Sequence, residues 1–240
     1  MRPYFANLIL TRPKAASLAF LDRLGADVPA GLNVILSPLI SIESLGQAVD
    51  LKGISGVIFS SSNGVAFTGP GAGLPAYCVG FATTQAAKDA GWDASFCGEN
   101  ADELVERLIH DRPATALLHL CGRHQRGNIA GRLSQADVPT TALEVYDQRA
   151  QPLTQDAQRA LAGNIACVLP LFSPRTAALF DQQDGIKAPV HIIAMSQAVR
   201  NELKTVKAKE LVISPRPDAE NMAGCLISAL RRVEAAGAAD

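Results

Sequence analysis

The sequence predicts an α/β protein in which parallel β-sheets are covered by helices. Short apolar runs alternate with helical stretches along the 240 residues, a pattern typical of strands joined by right-handed helical crossovers. A polar elbow follows several of these runs; residues 60–63 follow Phe59, and residues 173–175 follow Phe172. Two similar elbows, in a chain long enough for two domains of roughly 100 residues each, suggest two similar domains.

The strands are predicted from short apolar runs rich in Val, Ile, Leu and Phe that end in small polar residues, Gly or Pro. Continuous apolar runs of this length are expected in strands that are buried on both faces of a parallel sheet. In chain order the predicted strands are residues 7–10, 32–36, 57–60, 76–79, 93–97, 117–121, 141–146, 167–172, 190–195 and 211–214.

The helices are predicted from apolar spacing and end signals. Leu18, Leu21 and Leu24 share one face of the first helix, which Gly25 should end, and Asn100 is a candidate N-cap. A short helical turn is also predicted at residues 46–51. The helices predicted with both bounds are residues 15–24, 101–109, 156–161, 197–205 and 221–235. Four others are predicted with one bound only: a turn that ends by residue 68, a helix that runs from the elbow at 80–84 to about 91, a helix that ends near 133, and a helix that begins after 173.

Composition excludes several classes of protein. With 48% hydrophobic and 19% charged residues the chain is globular, and a net charge of −1 argues against nucleic-acid binding. No stretch is apolar for long enough to predict a signal peptide or a membrane span. The five cysteines are widely spaced, so we expect reduced thiols in a cytoplasmic protein. His119 and Cys121 are too isolated for a zinc site, and no metal is expected.

The elbows suit the binding of an anion. Their residues are small, so backbone amides can approach a ligand closely, and a helix N-terminus favours negative charge. Ligands of parallel α/β sheets bind beyond the carboxyl ends of the strands, where all these elbows are expected to lie. The chain has no G-x-G-x-x-G after the first strand and no G-x-x-x-x-G-K-[ST], so a nucleotide cofactor is not expected.

The order and spacing of these motifs resemble one known family over essentially the full length of the chain. The motifs are Thr11-Arg12-Pro13, Phe59-Ser60-Ser61-Ser62-Asn63-Gly64-Val65, Val79-Gly80-Phe81-Ala82-Thr83, residues 122–126, Val145-Tyr146, Phe172-Ser173-Pro174 and the helix after Pro217. In this arrangement the chain resembles the uroporphyrinogen-III synthases, cofactor-independent enzymes of tetrapyrrole (haem, chlorophyll and cobalamin) biosynthesis. One corner departs from the family's Gly-x-x-Thr, because Ala194-Met195-Ser196-Gln197 stands there and leaves Ser196 as the hydroxyl.

The resemblance implies two flavodoxin-like domains, each a doubly wound parallel sheet, joined by a two-segment β connector, with the active site in the interdomain cleft. Residues 1–36 and 150–240 would form a discontinuous first domain, and residues 41–144 the inserted second domain. Residues 37–42 and 144–150 would be the connector. The resemblance implies no cofactor, and we expect a monomer because nothing in the sequence marks an oligomer.

By resemblance the substrate is hydroxymethylbilane, a linear tetrapyrrole with eight carboxylates. The family reaction removes the terminal hydroxyl as water, inverts ring D through a spiro intermediate and closes the macrocycle. Tyr146, the tyrosine at the family's interdomain position, is the candidate that assists departure of the hydroxyl, since a phenol donates a hydrogen bond or a proton. The alternative is an ordinary aromatic residue that covers a strand end.

The candidate ligands of the substrate carboxylates are hydroxyls, amides and arginines on the elbows. Thr83 could instead be a helix N-cap, Arg12 could pair with an Asp, and Arg123 and Arg126 could simply be solvated. His124 lies on an elbow without a partner pattern and is a weaker candidate. The predicted substrate-binding residues are Arg12, Ser61, Ser62, Asn63, Gly80, Thr83, Thr84, Arg123, Ser173, Arg175 and Ser196.

A second class of function stays open beside the cyclising lyase. A non-catalytic two-domain protein that binds a small anion or a tetrapyrrole would use the same elbows. The two hypotheses differ at Tyr146, because a binding protein would tolerate Tyr146→Phe and a cyclase would be slowed by it. A periplasmic binding protein shares the two-lobed plan, but the missing signal sequence argues against it.

Overall fold

The structure, a computed structural model, describes residues 4–113, 116–125 and 127–237. The chain divides into two compact units. Unit 1 combines the residues up to Ser41 with those from Ala150 onward, and unit 2 is Ile42–Arg149. The chain therefore passes from one unit to the other twice, and unit 2 is an insertion within unit 1.

Unit 1 is built on a five-stranded parallel sheet. Its order is β11-β10-β9-β1-β2. If the five strands are numbered 1 to 5 along the chain and the order is read from β2, it becomes 2-1-3-4-5, which is the flavodoxin-like order. The strands are β1 (Ala6–Leu10), β2 (Leu32–Leu36), β9 (Ala166–Leu171), β10 (Val190–Ala194) and β11 (Glu210–Ile213).

Helices cover both faces of this sheet in two apolar layers. The helices are α1 (Lys14–Leu24), α6 (Gln155–Ala162), α7 (Pro174–Asp181), α8 (Gln197–Arg200) and α9 (Ala219–Gly237), with a 3-10 turn at Gly25–Asp27. The expected buried side of α9 is confirmed, since Leu226, Leu230 and Val233 are all buried.

The predicted buried face of α1 is wrong. Leu18 is 43% exposed, and the buried residues are Ser17, Phe20 and Leu24. The face is rotated because Phe20 packs edge-on against Phe172, with ring centroids 4.9 Å apart, and because α1 packs against α9. The small Ser17 side chain completes this face by donating to the carbonyl of Arg12 at 3.0 Å.

Unit 2 is built on a six-stranded sheet in the order β3-β8-β7-β4-β5-β6. The pairings β8–β7, β7–β4, β4–β5 and β5–β6 are parallel. If β4 to β8 are numbered 1 to 5 along the chain and the order is read from β6, it becomes 3-2-1-4-5, which is a doubly wound order. The strands are β3 (Ile40–Ser44), β4 (Gly56–Phe59), β5 (Pro75–Cys78), β6 (Asp93–Phe96), β7 (Leu117–Gly122) and β8 (Thr140–Ala150); the helices are α2 (Ser62–Ala66), α3 (Phe81–Asp89), α4 (Ala101–Asp111) and α5 (Ile129–Gln135).

Two of the sequence-based helix predictions are wrong. Residues 46–51 form no helical turn; the amide of Leu45 bonds the carbonyl of Val145 at 3.0 Å, and Gly46 has a φ of 64°. The helix expected to reach Thr205 ends at Arg200. The amides of residues 204–206 bond the carboxylate of Asp181 instead of continuing the helix, at distances from 2.9 to 3.1 Å.

The Asp181 carboxylate therefore fixes the chain after α8. Partial burial alone raises the pKa of Asp181, but the hydrogen bonds from the amides of Val206, Thr205 and Lys204 outweigh it and hold the pKa below its usual value. We expect Asp181→Ala to cost about 1 kcal/mol of unfolding free energy at pH 7, as for loss of a capping side chain.

The pH dependence of this loss follows from the lowered pKa. The carboxylate's contribution is complete above the unfolded-state pKa of about 4 and is lost as the pH falls through the lower folded-state value. Urea unfolding of wild type and Asp181→Ala at pH 7 and pH 2.5 measures this difference. A difference that persists undiminished at pH 2.5 would contradict the ionic origin.

Candidate functional site

Each unit has a topological switch, which is the place where two neighbouring strands lead into helices on opposite faces of the sheet. A ligand is expected at the carboxyl ends of these two strands. In unit 1 the switch lies between β1 and β9, and in unit 2 between β4 and β7. The predicted elbows follow these same strands. Arg12 and Ser173 follow β1 and β9, and Ser61 follows β4.

Tyr146 lies in β8, with only 4% of its surface exposed. Its ring crosses Gly122 on the neighbouring strand, where a register shift brings the two residues opposite each other. A Cβ atom at position 122 would lie 2.6 Å from the Tyr146 Cε2 and Cζ atoms and 2.9 Å from its hydroxyl. Glycine at 122 therefore makes the room through which the phenol reaches toward β4.

The phenol of Tyr146 meets the elbow after β4. The side chains of Ser61 and Asn63 lie close enough to the phenol to favour its ionised form. Ser61 is also the N-cap of α2 and accepts from the amide of Asn63 at 3.3 Å. Ser62, the first residue of this helix, is exposed beside them. The structure thus brings four of the predicted site residues into one cluster on unit 2.

The environment keeps the Tyr146 phenol protonated. Burial raises the pKa of Tyr146 above its usual value of 10.0, and the nearby side chains of Ser61 and Asn63 only partly oppose this. At neutral pH the hydroxyl is therefore neutral and can donate a proton or a hydrogen bond.

Arg123, predicted to bind a carboxylate of the substrate, is held by two acidic side chains. Its guanidinium lies 3.2 Å from the buried Asp147 and 3.4 Å from Glu144. His124 lies 3.7 Å from the other oxygen of Asp147. Half of the Arg123 side chain stays exposed, so a ligand can still reach it. Arg126 lies outside the described residues.

The elbow after β5 supplies a helix N-terminus without a side-chain cap. Gly80 is the N-cap of α3 and has a φ of 78°, a conformation that glycine adopts without strain. Thr83 is therefore not the N-cap that the alternative interpretation required. Both Thr83 and Thr84 are buried, and the Thr84 hydroxyl donates to the carbonyl of Gly80 at 3.0 Å. The backbone amides at the start of α3 remain the groups that can meet a ligand here.

The other predicted residues lie on unit 1. The guanidinium of Arg12 stacks over the Phe172 ring at 4.3 Å, and desolvation lowers the pKa of Arg12. No ion pair joins Arg12 to an Asp within the part of the chain that the structure describes. Ser173 caps α7 and Ser196 caps α8, and each hydroxyl accepts a hydrogen bond from a backbone amide of its helix. Arg175 lies half-buried in the first turn of α7.

Three residues near Tyr146 were missed by sequence reasoning. They are Gly122, whose missing side chain admits the phenol, Asp147, which holds Arg123, and His119, whose Nε2 lies 3.0 Å from the Ser60 hydroxyl. Asp147 directly follows Tyr146 and lies two positions before Arg149, and these neighbouring charges could have marked it as a candidate in the sequence. Gly122 and His119 carry no local signal, because their roles depend on which strands are neighbours.

The described residues offer neither a metal cluster nor a membrane-spanning helix. Among them, no group of three or more His, Cys, Asp or Glu residues lies close enough together to hold a metal ion. Across residues 4–113, 116–125 and 127–237, none of the helices is both long and apolar enough to cross a membrane. All five cysteines are free thiols, and four of them are buried.

Fold and site together define a doubly wound α/β protein of two units, with polar elbows at the carboxyl edges of its sheets. The family model described as uroporphyrinogen-III synthase HemD matches residues 28–224. This is well over half of the chain, and the chain belongs to the uroporphyrinogen-III synthase family. By this membership it is an enzyme of tetrapyrrole biosynthesis, a cyclising lyase.

A solved structure agrees with the fold. The uroporphyrinogen-III synthetase of Helicobacter pylori 26695 superposes with a TM-score of 0.66 at 14% identity, over 93% of this chain and 99% of that one. A wild-type uroporphyrinogen III synthase of Thermus thermophilus matches more weakly, with a TM-score of 0.41 at 14% identity, over 95% and 97% of the two chains. Comparison with curated proteins returns no significant match. The predicted α/β fold with two parallel sheets is confirmed.

Proposed function

We propose that this chain dehydrates and cyclises hydroxymethylbilane with inversion of ring D to give uroporphyrinogen III, with Tyr146 as the proton donor. One observation carries the proposal. A buried, neutral phenol crosses Gly122 and lies near the side chains of Ser61 and Asn63 beside the topological switch of unit 2, in a member of this family. The neutral state of the residue that the resemblance nominates supports its role as the proton donor of the first step.

In that step Tyr146 donates its proton to the terminal hydroxyl of the substrate. As the carbon–oxygen bond breaks and water leaves, the electron pair of the adjacent pyrrole nitrogen moves into the ring and an azafulvenium cation remains. The substituted α-carbon of ring D bonds to the exposed carbon of this cation and gives the spiro intermediate. The bond from that α-carbon to its original methylene then breaks, and the free α-carbon of ring D bonds to this methylene, which inverts ring D. The proton lost when the last pyrrole regains aromaticity balances the one that Tyr146 donated, so the net change is loss of one water.

The remaining groups hold the substrate in the folded shape that the ring closure needs. Its carboxylates would be bound by the amides at the start of α3, by Ser62 and by the exposed part of Arg123 on unit 2. Arg12, Ser173, Arg175 and Ser196 would bind others on unit 1. Holding the reacting ends together is worth several kcal/mol of the barrier by effective molarity.

A product-isomer assay tests the proposal. Hydroxymethylbilane is generated in situ, the protein is added, and the oxidised products are separated by isomer. We expect the type III isomer to dominate over the type I product that forms spontaneously. If a correctly folded protein gives only type I, the cyclase proposal fails, and binding of a tetrapyrrole or small anion without catalysis takes its place.

The proposal also places the enzyme in the cytoplasm, as a monomer. The five free thiols support a reducing compartment. Fractionation of cells that express the tagged chain and light scattering of the purified protein check the compartment and the mass. A stable dimer in solution would overturn the expected monomer.

A further inference from the structure

A histidine and a serine meet across the topological switch of unit 2. His119 lies in β7 opposite Ile58 of β4, and Ser60 directly follows β4 at the carboxyl edge. The His119 Nε2 and Ser60 Oγ atoms are 3.0 Å apart. His119 is 1% exposed, whereas Ser60 is exposed, so the pair joins the interior to the surface where a ligand is expected.

The protonation state of the imidazole decides which atom donates. Burial lowers the pKa of His119 to about 4, so the ring is neutral at physiological pH and carries a single N–H. Nδ1 is buried and has no hydrogen-bond partner among the described residues. Buried N–H groups without an acceptor are rarer than buried acceptors without a donor. The proton therefore belongs on Nε2, which donates to the Ser60 oxygen.

This bond determines what Ser60 offers at the surface. A hydroxyl that already accepts from an imidazole still has its own hydrogen to donate, and here that hydrogen points away from His119. Ser60 directly precedes Ser61, whose side chain lies near the Tyr146 phenol. We infer that His119 is a positioning residue that turns the Ser60 hydroxyl into a fixed donor for a carboxylate of the substrate. The inference rests on the proposed function and adds a substrate contact, Ser60, to it.

Four variants separate this role from a structural one, assayed with hydroxymethylbilane added directly at several concentrations. Ser60→Ala and His119→Leu should each raise KM by about tenfold with little change in kcat, because a bond to a charged group is lost. His119→Gln keeps an N–H donor near the Nε2 position and should restore most of the affinity. In the Ser60→Ala background, His119→Leu should add nothing further to KM.

The outcomes distinguish the inference from the proposed function. An inactive wild-type enzyme would refute the function, whereas an active one whose KM is unchanged by Ser60→Ala would refute the inference alone. If the His119→Leu variant does not fold, the tautomer of His119 in the wild-type protein tests the inference instead. Long-range ¹H–¹⁵N correlation spectra of the wild-type protein should show the proton of His119 on Nε2, and a proton on Nδ1 would overturn the inference.

Discussion

Tyr146→Phe is expected to lower kcat by about 10²- to 10⁴-fold, the usual worth of general acid help, with KM changed little. The reason is that the variant keeps the buried ring over Gly122 but removes the only proton that the phenol can donate. Single-turnover analysis of product isomers measures the effect. The spontaneous type I product should then take the place of type III.

Tyr77→Phe is the matched control for this loss. Tyr77 lies in β5 of the same sheet, is partly buried, and loses the same hydroxyl without touching the proposed site. We expect its kcat to equal that of the wild type. Equal effects of the two substitutions, or a Tyr146→Phe enzyme of full activity, would remove Tyr146 from the mechanism and favour the binding alternative.

The pH profile gives an independent reading of Tyr146. Because its pKa is raised above 10.0, the donor form is complete at neutral pH and is lost only as the pH rises through that higher value. The contribution of Tyr146 to kcat should therefore stay constant up to about pH 9. A fall in kcat centred near pH 8 that Tyr146→Phe abolishes would show that the phenol ionises earlier.

Gly122→Ala is expected to have the second largest effect. Its Cβ would lie 2.6 Å from the Tyr146 ring, so the phenol must move away from Ser61 and Asn63. Displacement of a catalytic group by about 1 Å costs roughly 100-fold in rate. Overpacking of the buried contact should also lower the free energy of unfolding by about 1 to 3 kcal/mol.

Gly224→Ala makes the same chemical change where nothing stands in the way. A Cβ there meets no atom within 4 Å, on the exposed side of α9. Because alanine favours a helix interior, this control should stabilise the protein by about 0.5 to 1 kcal/mol and leave kcat unchanged. Kinetics and urea unfolding of both variants decide the matter; a fully active Gly122→Ala enzyme would show that the contact with Tyr146 is not needed.

Local patterns in the sequence were sufficient to predict most strands and the elbows, whereas Tyr146 was nominated by the family resemblance and its role stays a prediction. They fail where a distant partner decides. The helix after Ser196 stops at Arg200 because Asp181, in another helix, takes the following amides. Propensity alone would continue it. The Ser60–His119 pair likewise depends on β4 lying beside β7, which a separation of 59 positions along the chain does not reveal.

The similarity of the two elbows does not arise from the same strand order in the two units. Ser61 follows the first parallel strand of unit 2 after its entry strand, whereas Ser173 follows β9, the third strand of unit 1. What the two elbows share is a place beside a topological switch. Similar residues there reflect a similar demand, because a short polar turn must expose amides at the carboxyl edge. Sequence spacing could not separate this shared demand from duplication.

The insertion of unit 2 has a consequence for the order of folding during synthesis. β1 must pair with β9, with Leu8 opposite Val168, before the outer sheet is complete. By the time β9 leaves the ribosome, every strand of the inserted unit has already emerged. The inserted unit can therefore close first, which shortens the loop that the outer unit has to close. Until then the pair of strands β1 and β2 lacks β9 on the open side of β1, and a translational pause before residue 166 would prolong the exposure of this pair to chaperones and proteases.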